Sequence, residues 1–233
     1  MNTVLIDLDD TLLDYSGGVD VSWRSACTSV AGPAGVDPAA LATALVEARR
    51  SFWSDPDRHR RERVNMLKAW QQIASRALAA CGCSTEAIAL AMAEDYAARR
   101  REAMTLFPDA RLTLERFRGA GATMGLVTNG DARQQRDKIE RHDLARFFDV
   151  IVIEGEFGAG KPDEIVYRHA LAALRARAID AVMIGDHLEF DVAGPQRLGI
   201  RGIWLDRAGE GLPAASSVTP HRIIRGLAEL HDA

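Results

Sequence analysis

Five short runs of mostly apolar residues constrain this chain more than any other feature: Thr3-Val4-Leu5-Ile6, Met124-Gly125-Leu126-Val127, Val150-Ile151-Val152-Ile153, Ala181-Val182-Met183-Ile184 and Gly202-Ile203-Trp204-Leu205. A strand with one face in water alternates polar and apolar side chains. These runs do not alternate, so both of their faces are buried, as in a parallel sheet with helices on either side. Helical segments separate them, at 108–117, 132–141, 164–177 and 192–198. Alternation of this kind predicts an α/β doubly wound core with right-handed connections.

The alternation is interrupted once. From about residue 19 to 104, Ala, Leu, Arg and Glu dominate, and glycine is confined to the breaks at Gly32-Pro33-Ala34-Gly35 and Gly82. Ser84 suits a helix N-cap, with Glu86 in the first turn to meet the helix dipole. This block is all-helical and enters after the first strand, so the simplest organisation is a core of 1–15 and 106–233 with an inserted helical domain at 16–105.

The 233 residues suffice for a hydrophobic core without disulfide staples. With 47% apolar and 27% charged residues, the composition disfavours collagen-like and largely disordered readings. A net charge of −4 argues against a nucleic-acid-coating protein. Membrane insertion is disfavoured too: Asp7 breaks the first apolar run, and no later stretch approaches the roughly 20 residues of a spanning helix. Three cysteines, Cys27, Cys81 and Cys83, and no evident signal peptide fit the reducing cytoplasm. Cys81-Gly82-Cys83 is too short for the usual zinc spacings and lacks nearby ligand partners, so all three are expected to pack.

Ligands of an open parallel sheet bind beyond the carboxyl ends of its strands, so the polar residues there are informative. Asp7-Leu8-Asp9-Asp10-Thr11 follows the first strand and Thr128-Asn129-Gly130 the second. Gly158-Ala159-Gly160-Lys161-Pro162 lies beyond the third, and Gly185-Asp186, with Asp191 a turn later, after the fourth. Carboxylates gathered on one edge repel unless a cation binds them. All-oxygen ligation with room for water suits Mg²⁺. With Lys161 opposite, such a site fits a dianionic phosphoryl group. Lysine is scarce, occurring only at 68, 138 and 161 among 29 Lys and Arg, and it contacts phosphate as a compact point charge.

Taken singly, each motif also reads as turn chemistry, and Asn-Gly is a common turn pair. Together and in order, Asp7-x-Asp9-x-Thr11, Thr128-Asn129-Gly130, Gly160-Lys161-Pro162 and Gly185-Asp186-x-x-x-x-Asp191 resemble the four motifs of the haloacid dehalogenase superfamily. The text around Thr128 and Lys161 is most similar to its subgroup containing N-acylneuraminate-9-phosphatase and the pyrimidine 5'-nucleotidases. The resemblance implies a Rossmann-like sheet of order 5-4-1-2-3, a type 1 helical cap, and a Mg²⁺-dependent phosphatase of small phosphorylated metabolites, without nucleic-acid or membrane partners. It implies Asp7 as nucleophile and Asp9 as general acid and base. Asp10, Thr128, Asn129 and Lys161 would surround the phosphoryl group. Mg²⁺ would sit on Asp7, Asp186 and the backbone carbonyl of Asp9, with Asp191 in the metal's shell.

Dehalogenases proper of that family carry Tyr where this chain has Asp9, phosphonatases carry Ala, and its phosphoglucomutases carry Gly-Val where Asp10-Thr11 stands. A 2-haloacid dehalogenase and a catalytically silent metabolite-binding member are the alternatives. Phe190 departs from the Asn common before the last Asp, and Glu164 from a common Pro. His187 reads as a hydrogen-bonded residue without a catalytic role. The basic groups 58–63 and 99–101 read as solvated helix faces. Tyr15 and Trp23, at the start of the insertion, are expected to influence substrate preference.

Overall fold

The first apolar run forms β1 (Thr3–Ile6), and all four of its residues are buried. It lies at the centre of a parallel sheet, pairing in register with β2 (Thr123–Thr128) on one side and β4 (Ala181–Gly185) on the other. Next to β2 lies β3 (Val150–Ile153), and next to β4 lies β5 (Arg201–Leu205). The order β3-β2-β1-β4-β5 is the one expected, and β6 (Arg222–Ile224) extends it at the β5 edge. Three residues are too few for a periodic pattern, which is why β6 went unforeseen.

This computed structural model describes residues 2–83 and 85–232. It divides into two compact units, Met1–Asp14 with Thr105–Ala233, and Tyr15–Met104. In the first unit, the helices expected around 108–117 and at 132–141 form as Ala110–Gly119 and Ala132–Arg141. The second begins at Asp131, whose side chain accepts from the Gln134 N–H and so satisfies an otherwise orphaned helix donor. The segment expected at 164–177 is shorter. It is helical over Glu164–Ala173 and ends where Arg175 enters the left-handed region, at φ 53°. The segment expected at 192–198 begins earlier, as a π-helical turn at Leu188–Ala193 running into Gly194–Gln196. Wide turns of this kind recur at functional sites, and this one carries Asp191. A short helix at Glu154–Phe157 was not foreseen.

The second unit is helical, as its composition requires, with main helices at Val19–Ala26, Pro38–Trp53, Met66–Ala80 and Glu86–Ala103. Two of the glycine breaks have a backbone reason: Gly35 and Gly82 take φ of +82° and +77°. The expected cap at Ser84 lies outside the described residues. Cys27 is buried in the core of this unit, and Cys81 and Cys83 pack half-buried against it. The basic groups are not uniformly solvated. Arg63 and Arg100 are buried. The Arg100 guanidinium donates to the carbonyls of Tyr15 and Gly17 and lies over the Tyr15 ring, so it fastens the first residues of the unit to its last helix.

Trp23, expected to influence substrate preference, is a core residue. It is 3% exposed and stacks on Tyr96 at a centroid distance of 3.9 Å, with Trp70 set edge-on to the same Tyr96 ring. Trp23→Ala should therefore cost about 3–5 kcal/mol of stability, read by urea denaturation, because it deletes a large buried ring and its stacking partner cannot collapse into the space. A change below about 1 kcal/mol would show that the ring is not part of a packed core.

Candidate active site

Lys161 organises the carboxyl edge of the sheet. Its side chain is 2% exposed, and Nζ lies 2.6 Å from Asp7 Oδ1 and 2.7 Å from Asp191 Oδ1. A buried ammonium is tolerable only when paired. Burial works against its charge, but Asp191 and Asp7 more than offset this and hold the group above the ordinary lysine range. Asp7 is fixed at its other oxygen by the Thr11 hydroxyl, 3.1 Å from Oδ2. Asp191 uses its second oxygen to accept from the His187 N–H at 3.0 Å.

The chain reaches this geometry through close backbone approaches. Asn129 clamps the Lys161 backbone from both ends of its amide: Nδ2 donates to the Lys161 carbonyl at 2.8 Å, and Oδ1 accepts from the Lys161 N–H at 2.7 Å. Gly160 is required beside that clamp, because a Cβ there would lie 2.4 Å from the Glu154 carboxyl group. Gly185, ending β4, is required for the same reason. A Cβ would meet the Asp191 carboxylate at 2.3 Å.

Asp186 completes the cluster. Oxygens of Asp7, Asp186 and Asp191 all lie within 4.8 Å of one another. Burial pushes Asp7 up to about 7, with Lys161 opposing and Asp191 adding to the rise. Burial and the charges of Asp7, Asp191 and Asp10 push Asp186 up to about 8. Among the described residues no hydrogen bond or ion pair reaches the Asp186 carboxylate, and its carbonyl accepts from Trp204 Nε1 at 2.7 Å. Three hard oxygen donors, one of them without a protein donor, fit a divalent cation such as the sequence leads one to expect.

Asp9 points elsewhere. Both of its oxygens lie 2.8 Å from Lys138 Nζ, and Oδ2 also accepts from Gln135 Nε2 at 3.0 Å. Gln135 donates in turn to Thr128 Oγ1 at 2.7 Å. Lys138 and Gln135 were not singled out from the sequence. Two signals marked them: the scarcity of lysine, and the i,i+3 spacing that places both on one face of the helix after β2.

The expected site residues thus separate. Asp7, Lys161, Asp186 and Asp191 come together, and Thr128 joins Asp9 through Gln135. Asn129, expected beside the phosphoryl group, uses Oδ1 and one Nδ2 hydrogen to fix the Lys161 backbone. Asp10 was expected there too. It sits at φ 57° with its N–H donated to the Leu13 carbonyl, and its carboxylate adds to the negative charge around Asp186, so it suits a tight turn rather than an anion site. Tyr15 is half-buried under Arg100 in the helical unit. Phe190 does not disturb Asp191: its ring stacks on His187 at 3.8 Å, and its carbonyl accepts from the Tyr167 hydroxyl.

A family model of haloacid dehalogenase-like hydrolases matches residues 1–199. The chain belongs to that family. This hydrolase is 32% identical to a phosphoserine phosphatase of Thermus thermophilus, over 89% of each chain. It is 36% identical to N-acylneuraminate-9-phosphatase of Rattus norvegicus over 56% of its own length and 52% of that protein, about half of each. A 2-haloacid dehalogenase structure from Pseudomonas syringae superposes with a TM-score of 0.69 at 28% identity, over 99% of this chain and 96% of that one. Among the described residues, no helix of the hydrolase is long and apolar enough to cross a membrane.

The raised carboxyl groups carry a sign. Asp186 keeps its proton in the folded state up to about pH 8 but loses it near pH 3.8 when unfolded, so the folded state binds more protons between those values. Its contribution to stability is present below about pH 4 and is lost as pH rises through about 8. In metal-free hydrolase, Asp186→Asn should therefore raise the melting temperature more at pH 8 than at pH 5. An equal shift at both pH values would remove the burial of this charge as the cause.

Proposed function

We propose that this hydrolase is a phosphatase that cleaves small phosphomonoesters by way of an aspartyl-phosphate on Asp7. The observation that carries the reading is the buried Lys161 ammonium, held against Asp7 on the edge where Asp9 follows two residues later. Asp7 Oδ1 and Oδ2 are oriented by Lys161 and Thr11, which leaves a rigid carboxylate to attack phosphorus in line with the departing oxygen. Asp9 protonates the departing alkoxide and later accepts a proton from the water that opens the intermediate. Lys161 and the Thr128 end of β2 face the phosphoryl oxygens, and Asn129 serves them by fixing Lys161.

The carboxylates of Asp7 and Asp186 and the backbone carbonyl of Asp9 would hold Mg²⁺, with Asp191 in the acidic shell around it. Bound there, the cation supplies positive charge opposite Lys161, against the charge that develops on the phosphoryl group. Asp191 keeps Lys161 charged and in place. The helical unit of residues 15–104 corresponds in this reading to the family's cap, whose side chains would select among sugar phosphates and nucleoside monophosphates. The names of the relatives, phosphatases of phosphoserine and of N-acylneuraminate 9-phosphate, support a small phosphorylated metabolite as substrate. The dehalogenase neighbour shares the fold, but a carboxylic acid at position 9 serves an alkoxide leaving group, whereas a halide departs without a proton.

Two measurements test this. EDTA should abolish hydrolysis of p-nitrophenyl phosphate and excess Mg²⁺ restore it; full activity in the chelator would remove the metal from the proposal. Asp7→Asn keeps the shape and deletes the nucleophile, so turnover should fall to background and no hydroxylamine-labile phosphoenzyme should be trapped. Release of halide from 2-haloacids, with no phosphatase activity on any ester tested, would favour the dehalogenase reading instead.

A further inference from the structure

We infer that Lys138, together with Gln135, is a positioning residue for Asp9, fixing the carboxyl group that acts as general acid and base and tying it to Thr128. The inference deepens the phosphatase reading and rests on it. Lys138 is 4% exposed, on the buried side of the helix that runs from Ala132 to Arg141. An ammonium taken out of water must find acceptors for its N–H donors. Three lie within reach: both oxygens of Asp9, at 2.8 Å each, and Gln135 Oε1 at 2.7 Å.

Holding both oxygens differs from holding one. A carboxylate bonded through a single oxygen still turns about its last side-chain torsion, which is broad for Asp. Contact at both oxygens, with a further donor from Gln135 on Oδ2 at 3.0 Å, restrains that rotation. Gln135 spends its other amide hydrogen on Thr128 Oγ1 at 2.7 Å. One helix face therefore links a group on the loop after β1 to a group at the end of β2. Displacement of the acid and of the residue beside the phosphoryl group become coupled, so the proton donor keeps its place relative to the bond it serves. Lys161 does not share this task, since its ammonium is engaged by Asp7 and Asp191.

The test compares leaving groups in the full-length protein with Mg²⁺. Proton donation matters for an alkyl phosphate and little for p-nitrophenyl phosphate, whose leaving group departs as a stable anion. Lys138→Met should lower kcat for 2-phosphoglycerol by about 10–100-fold, the range expected when a reacting group is misplaced by about 1 Å. The loss for p-nitrophenyl phosphate should be several times smaller and KM for both esters little changed. Lys138→Arg, which keeps the charge, should recover part of the loss. In an Asp9→Asn background, Lys138→Met should cause no further loss, because its effect passes through Asp9. Equal losses on both esters, or a full further loss in the Asp9→Asn background, would overturn the inference and leave Lys138 as a structural ion pair. If Lys138→Met does not fold by circular dichroism, Gln135→Leu carries the same comparison, since it deletes the bonds to Asp9 and Thr128. Failure of the wild-type protein to hydrolyse either ester would instead bring down the phosphatase reading, and this inference with it.

Discussion

An ammonium buried between two carboxylates is the interaction on which the rest of this active edge depends. Lys161 draws Asp7 and Asp191 to within 2.7 Å, and each of those groups is otherwise costly to remove from water. The pairing is worthwhile only if its geometry is tight, because removing one partner strands the others as buried, uncompensated charge. The surrounding structure supplies that tightness. Asn129 grips the backbone of Lys161 at both ends, the Thr11 hydroxyl holds the second oxygen of Asp7, and two glycines leave room where any side chain would collide. These contacts come from the ends of four different strands. Parallel packing of β1 between β2 and β4 is what brings them to one edge.

Two cations serve separate carboxylates on that edge. Lys161 pairs with Asp7 and Lys138 with Asp9 two residues further on, so neighbouring aspartates are kept apart by separate anchors. Separation matters because two carboxylates sharing one site push each other toward the protonated form. Asp186 has no such anchor among the described residues. Its raised proton affinity marks the place where positive charge is still wanted, and this is why the cluster suits a hard cation better than another hydrogen bond.

Much of this was legible along the chain. Non-alternating apolar runs mark strands buried on both faces wherever they occur, and the motif residues follow them directly, so the strands and the Asp7, Lys161, Asp186 and Asp191 group could be expected, while the sheet order rested on the family resemblance of those motifs. Short or conformationally special pieces could not. β6 has three residues, the π-helical turn at Leu188–Ala193 has no distinct periodicity, and the end of the helix at Ala173 is set by the left-handed Arg175 rather than by a glycine or proline. Trp23 shows the other limit. An aromatic at the start of an insertion reads as a residue that shapes substrate preference until its stacking on Tyr96 is seen.

The sequence by itself determined the fold class, the all-helical character of residues 19–104 and the gathering of acids and one lysine at strand ends, because these follow from local periodicity and from where loops must fall in a parallel sheet. Only the tertiary structure decided what each of those residues does with its hydrogen bonds. Asn129 clamps the backbone of Lys161, Asp10 stands in a tight turn, and Lys138, one lysine among three, is the partner of Asp9. Such assignments depend on which donors and acceptors meet across 32 to 154 residues of chain, and a hydrogen bond has direction and a reach of about 3 Å that no linear pattern encodes.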